Sequence, residues 1–317
     1  MVDYLVYAQL VAGFALLIFG GDFLVRGALD FGAKRNLSPL IVGATVVAMG
    51  TSAPEMVISI LSAVSGHPQI ALGNVIGSNI ANVLLVLGLP VLLHPITTAQ
   101  VGLKVQSNWM LLVSVAFIGL CFINFLTFSA GLVMLLLLGL FLYFSIKSGV
   151  PIQALDQVTQ EFSEIPVVQS YWRITGFIGF GMIALPLGAD FVVNSGTSLA
   201  MQWGVSESVI GLSLVALGTS LPELSATVIA AYYRNSDVVL GNIIGSNLFN
   251  ILAVLGVTLM VTNIPVDPVF LTLDIWVMLG ATVVLWLYAM RGISIGRVSG
   301  AFFLASYGVY LWLMYTA

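Results

Sequence analysis

Ten apolar stretches, each long enough to cross a bilayer as a helix, leave this chain little choice of environment. They fall near residues 4–26, 39–64, 70–93, 106–125, 127–147, 169–193, 206–232, 238–260, 270–290 and 297–316. A hydrocarbon core of about 30 Å takes roughly 20 apolar residues in helical form. Composition agrees: 60% of the 317 residues are hydrophobic, and nine Lys+Arg with thirteen Asp+Glu make only 7% charged, against roughly 25% in an average soluble domain. So few charges cannot coat a soluble surface, and nine basic residues are too few to grip nucleic acid. A soluble enzyme, a nucleic-acid binder and a disordered chain are therefore excluded. The single cysteine, Cys121, excludes a disulfide framework or a thiolate metal cluster. Asp3 precedes the first stretch and no basic segment does, so it reads as a true span rather than a signal peptide. The expected fold is an all-α membrane protein with ten transmembrane helices.

The few charges are sorted. Arg26, Lys34 and Arg35 lie between the first and second stretches, and Lys104 between the third and fourth. Lys147 and Arg173 flank a hydrophilic segment, 148–168. Arg234 lies between the seventh and eighth, and Arg291 and Arg297 between the ninth and tenth. All nine fall on one face of the expected layout. Basic residues accumulate on the cytoplasmic side, so both termini are expected outside and the central loop in the cytoplasm.

The chain also repeats itself. Residues 41–88, with GATVVAMGTSAPE and LGNVIGSNIANVLLVLG, match 209–256, with GLSLVALGTSLPE and LGNIIGSNLFNILAVLG, at a constant offset of 168 and with 21 of 48 positions identical. The match reaches back to Gly20, Asp22, Phe23 and Val25, which pair with Gly188, Asp190, Phe191 and Val193. Five spans is an odd number, so a second copy must enter the membrane from the opposite side. The expected organisation is a first five-helix repeat at 1–147, a cytoplasmic linker at 148–168 and an inverted repeat at 169–317. Many secondary transporters share this plan, with the substrate site near the midplane between repeats.

Glu55 and Glu223 lie deep within the second and seventh stretches and are related by the repeat. A carboxylate at bilayer depth is expensive and marks function. No Lys or Arg lies mid-span to neutralise either, so their expected partner is a cation. Pro54 and Pro222 each lack an N–H and crowd the carbonyl four residues back, so both spans should kink and leave carbonyls near 48–51 and 216–219 unpaired. Thr51 and Ser52 share a helix face with Glu55, as Thr219 and Ser220 do with Glu223. Asn74, Ser78 and Asn82 form one stripe on the third span, and Asn242, Ser246 and Asn250 copy it on the eighth. Gly73, Gly77, Gly241 and Gly245 should let these helices approach closely. A donor set made only of oxygen selects hard cations such as Ca²⁺ or Na⁺. If two ions compete for the same two carboxylates, the result is exchange. Asp22 and Asp190 read either as helix-end hydrogen-bonding residues or as the lining of two access passages. His67 and His94 read as loop residues.

The paired motifs GTSAPE/GTSLPE and GNVIGSNIAN/GNIIGSNLFN resemble the alpha-repeats of the Ca²⁺/cation antiporter superfamily, and more narrowly the prokaryotic sodium/calcium exchangers. The resemblance implies an ion site among spans two, three, seven and eight, and a mobile pair, spans one and six, that slides to give alternating access. It implies Glu55 and Glu223 as principal Ca²⁺ and Na⁺ ligands. Thr51, Ser52, Thr219, Ser220 and the carbonyls of Ala48 and Ala216 would serve Na⁺, and Ser78, Asn82 and Ser246 match the ligands of spans three and eight. Asn250 stands where some archaeal members and the potassium-dependent branch carry Asp, which argues against K⁺ cotransport. The implied activity is antiport of Ca²⁺ against Na⁺ across a prokaryotic plasma membrane, with net Ca²⁺ extrusion. Both are transported ions; no cofactor and no obligate protein partner are implied, only surrounding lipid. The residues alone leave H⁺ open as the driving ion, so a proton-coupled Ca²⁺ antiporter is the alternative. A carboxylate-lined channel and an intramembrane hydrolase fit less well: the duplication favours a carrier, and no mid-span His or Lys could serve a serine as base.

Overall fold

The computed structural model describes residues 4–147, 170–204 and 218–316. The expected linker and residues 205–217, Ala216 among them, lie outside the described residues. The longer helices are α1 (Tyr4–Arg35), α2 (Pro39–Thr51), α3 (Ala53–Val64), α4 (Pro68–Leu93), α5 (Leu103–Phe122), α6 (Phe128–Lys147), α7 (Tyr171–Gln202), α8 (Leu221–Tyr232), α9 (Ser236–Val261), α10 (Asp274–Arg291) and α11 (Arg297–Thr316), with a single short turn of helix at Pro268–Thr272 before α10. Seven of them are long and apolar enough to cross a membrane, or eight if α2 and α3 form one broken span. Prolines open α2, α3, α4 and α8 within their first two positions, where the missing N–H costs nothing.

The chain was expected to leave its first helix near residue 26 and its sixth near 193. Instead α1 and α7 each run 32 residues, about 48 Å at 1.5 Å per residue. Hydropathy marks where a helix leaves the hydrocarbon, not where it ends. Arg26, Lys34 and Arg35 therefore sit within α1 rather than in a loop, and Lys104, Lys147, Arg173, Arg291 and Arg297 are likewise helical. Lys34 lies 3.5 Å from the centre of the Tyr171 ring, which ties the end of α1 to the start of α7.

α1 and α7 pack antiparallel along most of their length, and glycine makes this possible. A Cβ on Gly13 would lie 3.0 Å from the Gly188 carbonyl oxygen, and one on Gly181 would lie 2.8 Å from that of Gly20. These two contacts exchange under the offset of 168. The same exchange recurs elsewhere: α6 packs on residues 250–261 of α9, whereas α11 packs on residues 82–93 of α4. α4 and α9 are the most enclosed helices, while Val133, Leu136 and Leu140 on α6 are among many large apolar side chains left exposed on the outside.

Between α2 and α3 the axis bends by 43° at Ser52 (φ −83°, ψ 5°), two residues before Pro54. The bend is as expected; the freed carbonyls are not all free. The Ala48 carbonyl accepts from the Ser52 N–H at 2.9 Å and from the Thr51 hydroxyl at 3.3 Å, because the helical turn continues through Ser52 before breaking. Two further irregularities are matched. π-helical turns begin at Asn82 and at Asn250, with the Leu87 N–H donating to the Asn82 carbonyl at 3.0 Å. Such turns recur at functional sites.

Candidate functional site

Glu55 and Glu223 stand in the first turns of α3 and α8, where exposed N–H groups and the helix dipole favour negative charge. Each is 1% exposed. Ser52 Oγ donates to Glu223 Oε1 at 3.1 Å, carrying the α2–α3 break across to α8. Among the described residues, both oxygens of Glu55 and Oε2 of Glu223 meet no hydrogen-bond donor. A buried carboxylate oxygen without a donor is costly, unless something positively charged meets it.

Neutral oxygens are buried on the same helices and their partners. Thr51 Oγ1 lies 3.5 Å from both Asn242 Oδ1 and Ser246 Oγ. Thr51, Ser52, Ser78, Ser220, Ser246, Asn82 and Asn250 are all buried; Thr219 is partly buried. Asn82 Oδ1 and Asn250 Oδ1 also lack a donor. The close approach that gathers these groups rests on small residues. A Cβ on Gly241 would sit 2.3 Å from the Leu40 carbonyl oxygen, and one on Gly245 would sit 2.6 Å from Ala44 Cα. Glycine thus seats α2 against α9, and the broken end of α2 brings Thr51 and Ser52 to the glutamates.

Several hydrogen-bond partners of these groups escaped the sequence reading. Asn74 Nδ2 donates to Ser59 Oγ at 3.0 Å and to the Glu55 carbonyl at 3.2 Å. Asn242 Nδ2 donates to Thr227 Oγ1 at 2.9 Å, the same bond shifted by 168. Asn74 and Asn242 therefore brace α4 on α3 and α9 on α8. Asn82 Nδ2 donates to Asn247 Oδ1 at 3.0 Å, and Asn250 Nδ2 to Asn79 Oδ1 at 3.4 Å, again an exchanged pair. The repeat offered a signal for all four missed residues: positions 59/227 keep a hydroxyl and 79/247 keep an amide.

The sequence profile of the sodium/calcium exchanger protein family matches residues 5–147 and 173–316. The chain belongs to the sodium/calcium exchanger family. It is an antiporter of that type, not an enzyme. The exchanger is 37% identical over 313 residues to CaxA of Alkalimonas amylolytica, covering 97% of this chain and 98% of that one. It is 34% identical over 312 residues to the inner membrane protein YrbG of Escherichia coli, covering 97% and 96%. The solved structure of the sodium-calcium exchanger NCX_Mj soaked with zero Na⁺ and Ca²⁺ superposes with a TM-score of 0.84 at 32% identity, covering 99% of this chain and 100% of that one.

The exchanger's two repeat-related aspartates differ in surroundings. Asp22 accepts from Arg26 Nε at 2.9 Å and from the Tyr233 hydroxyl, and Arg26 Nη2 donates to Tyr233 at 2.5 Å. This cluster joins the middle of α1 to the end of α8. The equivalents of Arg26 and Tyr233 are Asn194 and Ser65, and Asp190 is exposed. Asp22 is thus a mid-helix anchor rather than a helix-end residue. His67 is exposed and His94 half-buried, both between helices.

Proposed function

We propose that this exchanger moves Ca²⁺ against Na⁺ by alternating access, with net Ca²⁺ extrusion across a prokaryotic plasma membrane. Ten spans would form two inverted five-helix halves, 1–147 and 169–317, joined by a cytoplasmic linker at 148–168, with both termini outside. The exchanged contacts of α1 with α7, and of α6 and α11 with α9 and α4, support an inverted pair of halves. Lys34 and Arg35 meet the Tyr171 ring at the same helix start that carries Arg173, which supports a common cytoplasmic face.

Glu55 and Glu223 would be the principal ligands, with Thr51, Ser52, Thr219, Ser220, Ser78, Asn82, Ser246 and Asn250 completing the oxygen set. The carbonyls of Ala48 and Ala216 would join them for Na⁺; that of Ala48 already accepts from two donors, so Na⁺ would have to displace or share one of them. The observation that carries this reading is three buried carboxylate oxygens without donors beside buried hydroxyl and amide oxygens. Ca²⁺ takes about 6–8 oxygens at 2.3–2.6 Å, and two carboxylates balance one Ca²⁺ or two Na⁺. Both ions seek the same carboxylates, so binding of one expels the other, and this competition is the coupling. Either Glu55→Gln or Glu223→Gln should abolish Na⁺-driven ⁴⁵Ca²⁺ uptake into vesicles. Retained transport in both would overturn the assignment.

A further inference from the structure

Asn82 and Asn250 are held by a relay with a defined direction. Asn82 Nδ2 donates to Asn247 Oδ1 at 3.0 Å, and Asn247 Nδ2 in turn donates to Met110 Sδ at 3.7 Å. Across the pseudo-symmetric pair, Asn250 Nδ2 donates to Asn79 Oδ1 at 3.4 Å, and Asn79 Nδ2 donates to Met278 Sδ at 3.8 Å. All six residues are at most 2% exposed. Asn79 and Asn247, Asn82 and Asn250, and Met110 and Met278 are each separated by 168 positions, so each half supplies the outer asparagine that serves the other half's inner one.

A thioether has no hydrogen to give; it only accepts. An amide that meets sulfur must therefore turn its NH₂ toward it and its oxygen away. The outer asparagine then presents only an acceptor to the inner one, which must answer with NH₂ and send its own oxygen the other way. Those outward-turned atoms, Asn82 Oδ1 and Asn250 Oδ1, are the ones left without a donor. An amide flipped the other way would aim NH₂ at the cation, and a ligand would become a repulsive dipole.

We propose that Asn247 with Met110, and Asn79 with Met278, are positioning residues that lock the amides of Asn82 and Asn250 so that their oxygens face the transported cation. This rests on the reading of Asn82 and Asn250 as ligands. The sulfur sets the direction, the outer amide passes it on, and no water or charge is needed within the enclosed core. Residues that hydrogen-bond a metal's ligands act in this way and are worth about 10- to 100-fold in metal affinity.

The test is equilibrium ⁴⁵Ca²⁺ binding to the purified full-length exchanger, with thermal unfolding measured alongside. Asn82→Ala should weaken binding; if it does not, the ligand reading fails, and the lock fails with it. Given that loss, Asn247→Leu should weaken binding by about 10- to 100-fold, and Asn82→Ala/Asn247→Leu should bind no more weakly than Asn82→Ala alone. A purely structural Asn247 would instead lower thermal stability with additive effects on affinity, or leave affinity unchanged, and either result overturns the lock. Should Asn247→Leu fail to fold, Met110→Leu keeps the volume and removes the acceptor. It should weaken binding by about two- to tenfold, and unchanged affinity would overturn the proposal.

Discussion

Gly245→Ala offers a sharp test of how the proposed ion cage is assembled. The added Cβ would lie 2.6 Å from both Ala44 Cα and its carbonyl oxygen and 2.8 Å from its carbonyl carbon. All three are backbone atoms, so no side chain can swing aside. Ordinary contact needs roughly 3.5 Å, so α2 and α9 must part by about 0.9 Å. Overpacking of this kind costs about 1–3 kcal/mol. Ser52, at the end of α2, donates to Glu223 over 3.1 Å, and a shift of that size takes the pair to about 4 Å, beyond hydrogen-bond range. Thr51 and Ser246, already 3.5 Å apart, would separate further. Losing a hydrogen bond to a buried carboxylate costs about 1–3 kcal/mol, which is about 5- to 150-fold in affinity. The assay is the half-saturating Ca²⁺ concentration for ⁴⁵Ca²⁺ uptake into Na⁺-loaded proteoliposomes, with Gly280→Ala as control, since its Cβ meets nothing within 4 Å among the described residues. Half-saturation within twofold of the parent chain in Gly245→Ala would refute the idea that glycine contact between α2 and α9 sets the cage.

Ser52→Ala should raise the half-saturating Ca²⁺ concentration by about five- to 150-fold by leaving Glu223 without its donor, read in the same uptake assay. Asn250→Asp adds a third carboxylate and should tighten Ca²⁺ relative to Na⁺, seen as a higher Na⁺ concentration needed to displace bound ⁴⁵Ca²⁺. Tyr233→Phe removes the hydroxyl shared by Asp22 and Arg26 and should destabilise the protein by about 1 kcal/mol. Thermal unfolding of Tyr233→Phe, Arg26→Ala and the double variant should be non-additive, because the three groups act as one cluster. Gly188→Ala places a Cβ 2.9 Å from the Gly13 carbonyl oxygen and should destabilise the α1–α7 pair, lowering the unfolding temperature.

Much of this molecule was legible in its sequence because the membrane simplifies the code. Long apolar runs located most of the helices, and the offset of 168 pointed to the same candidate residues twice. Pro54 announced the break at Ser52. What hydropathy could not show was how far α1 and α7 continue beyond the hydrocarbon, since Arg26, Asp30 and Lys34 end an apolar run without ending a helix. The outer asparagines were missed for a related reason. Asn79 and Asn247 lie off the stripe traced by Asn74, Ser78 and Asn82, and only the crossed contacts of α4 with α9 bring them to the inner amides. The Asp22–Arg26–Tyr233 cluster was hidden too. Its third member lies 211 positions from its first and has no counterpart in the other half, so the repeat carried no hint of it.

The central claim, that one set of buried oxygens serves Na⁺ and Ca²⁺ in turn, is tested most directly by counterflux in proteoliposomes with Na⁺, K⁺ and pH varied independently. An outward Na⁺ gradient at constant pH should drive ⁴⁵Ca²⁺ uptake with no requirement for K⁺, and a pH gradient without Na⁺ should drive none. Uptake driven by the pH gradient alone would contradict the account and identify the proton as the counter-ion.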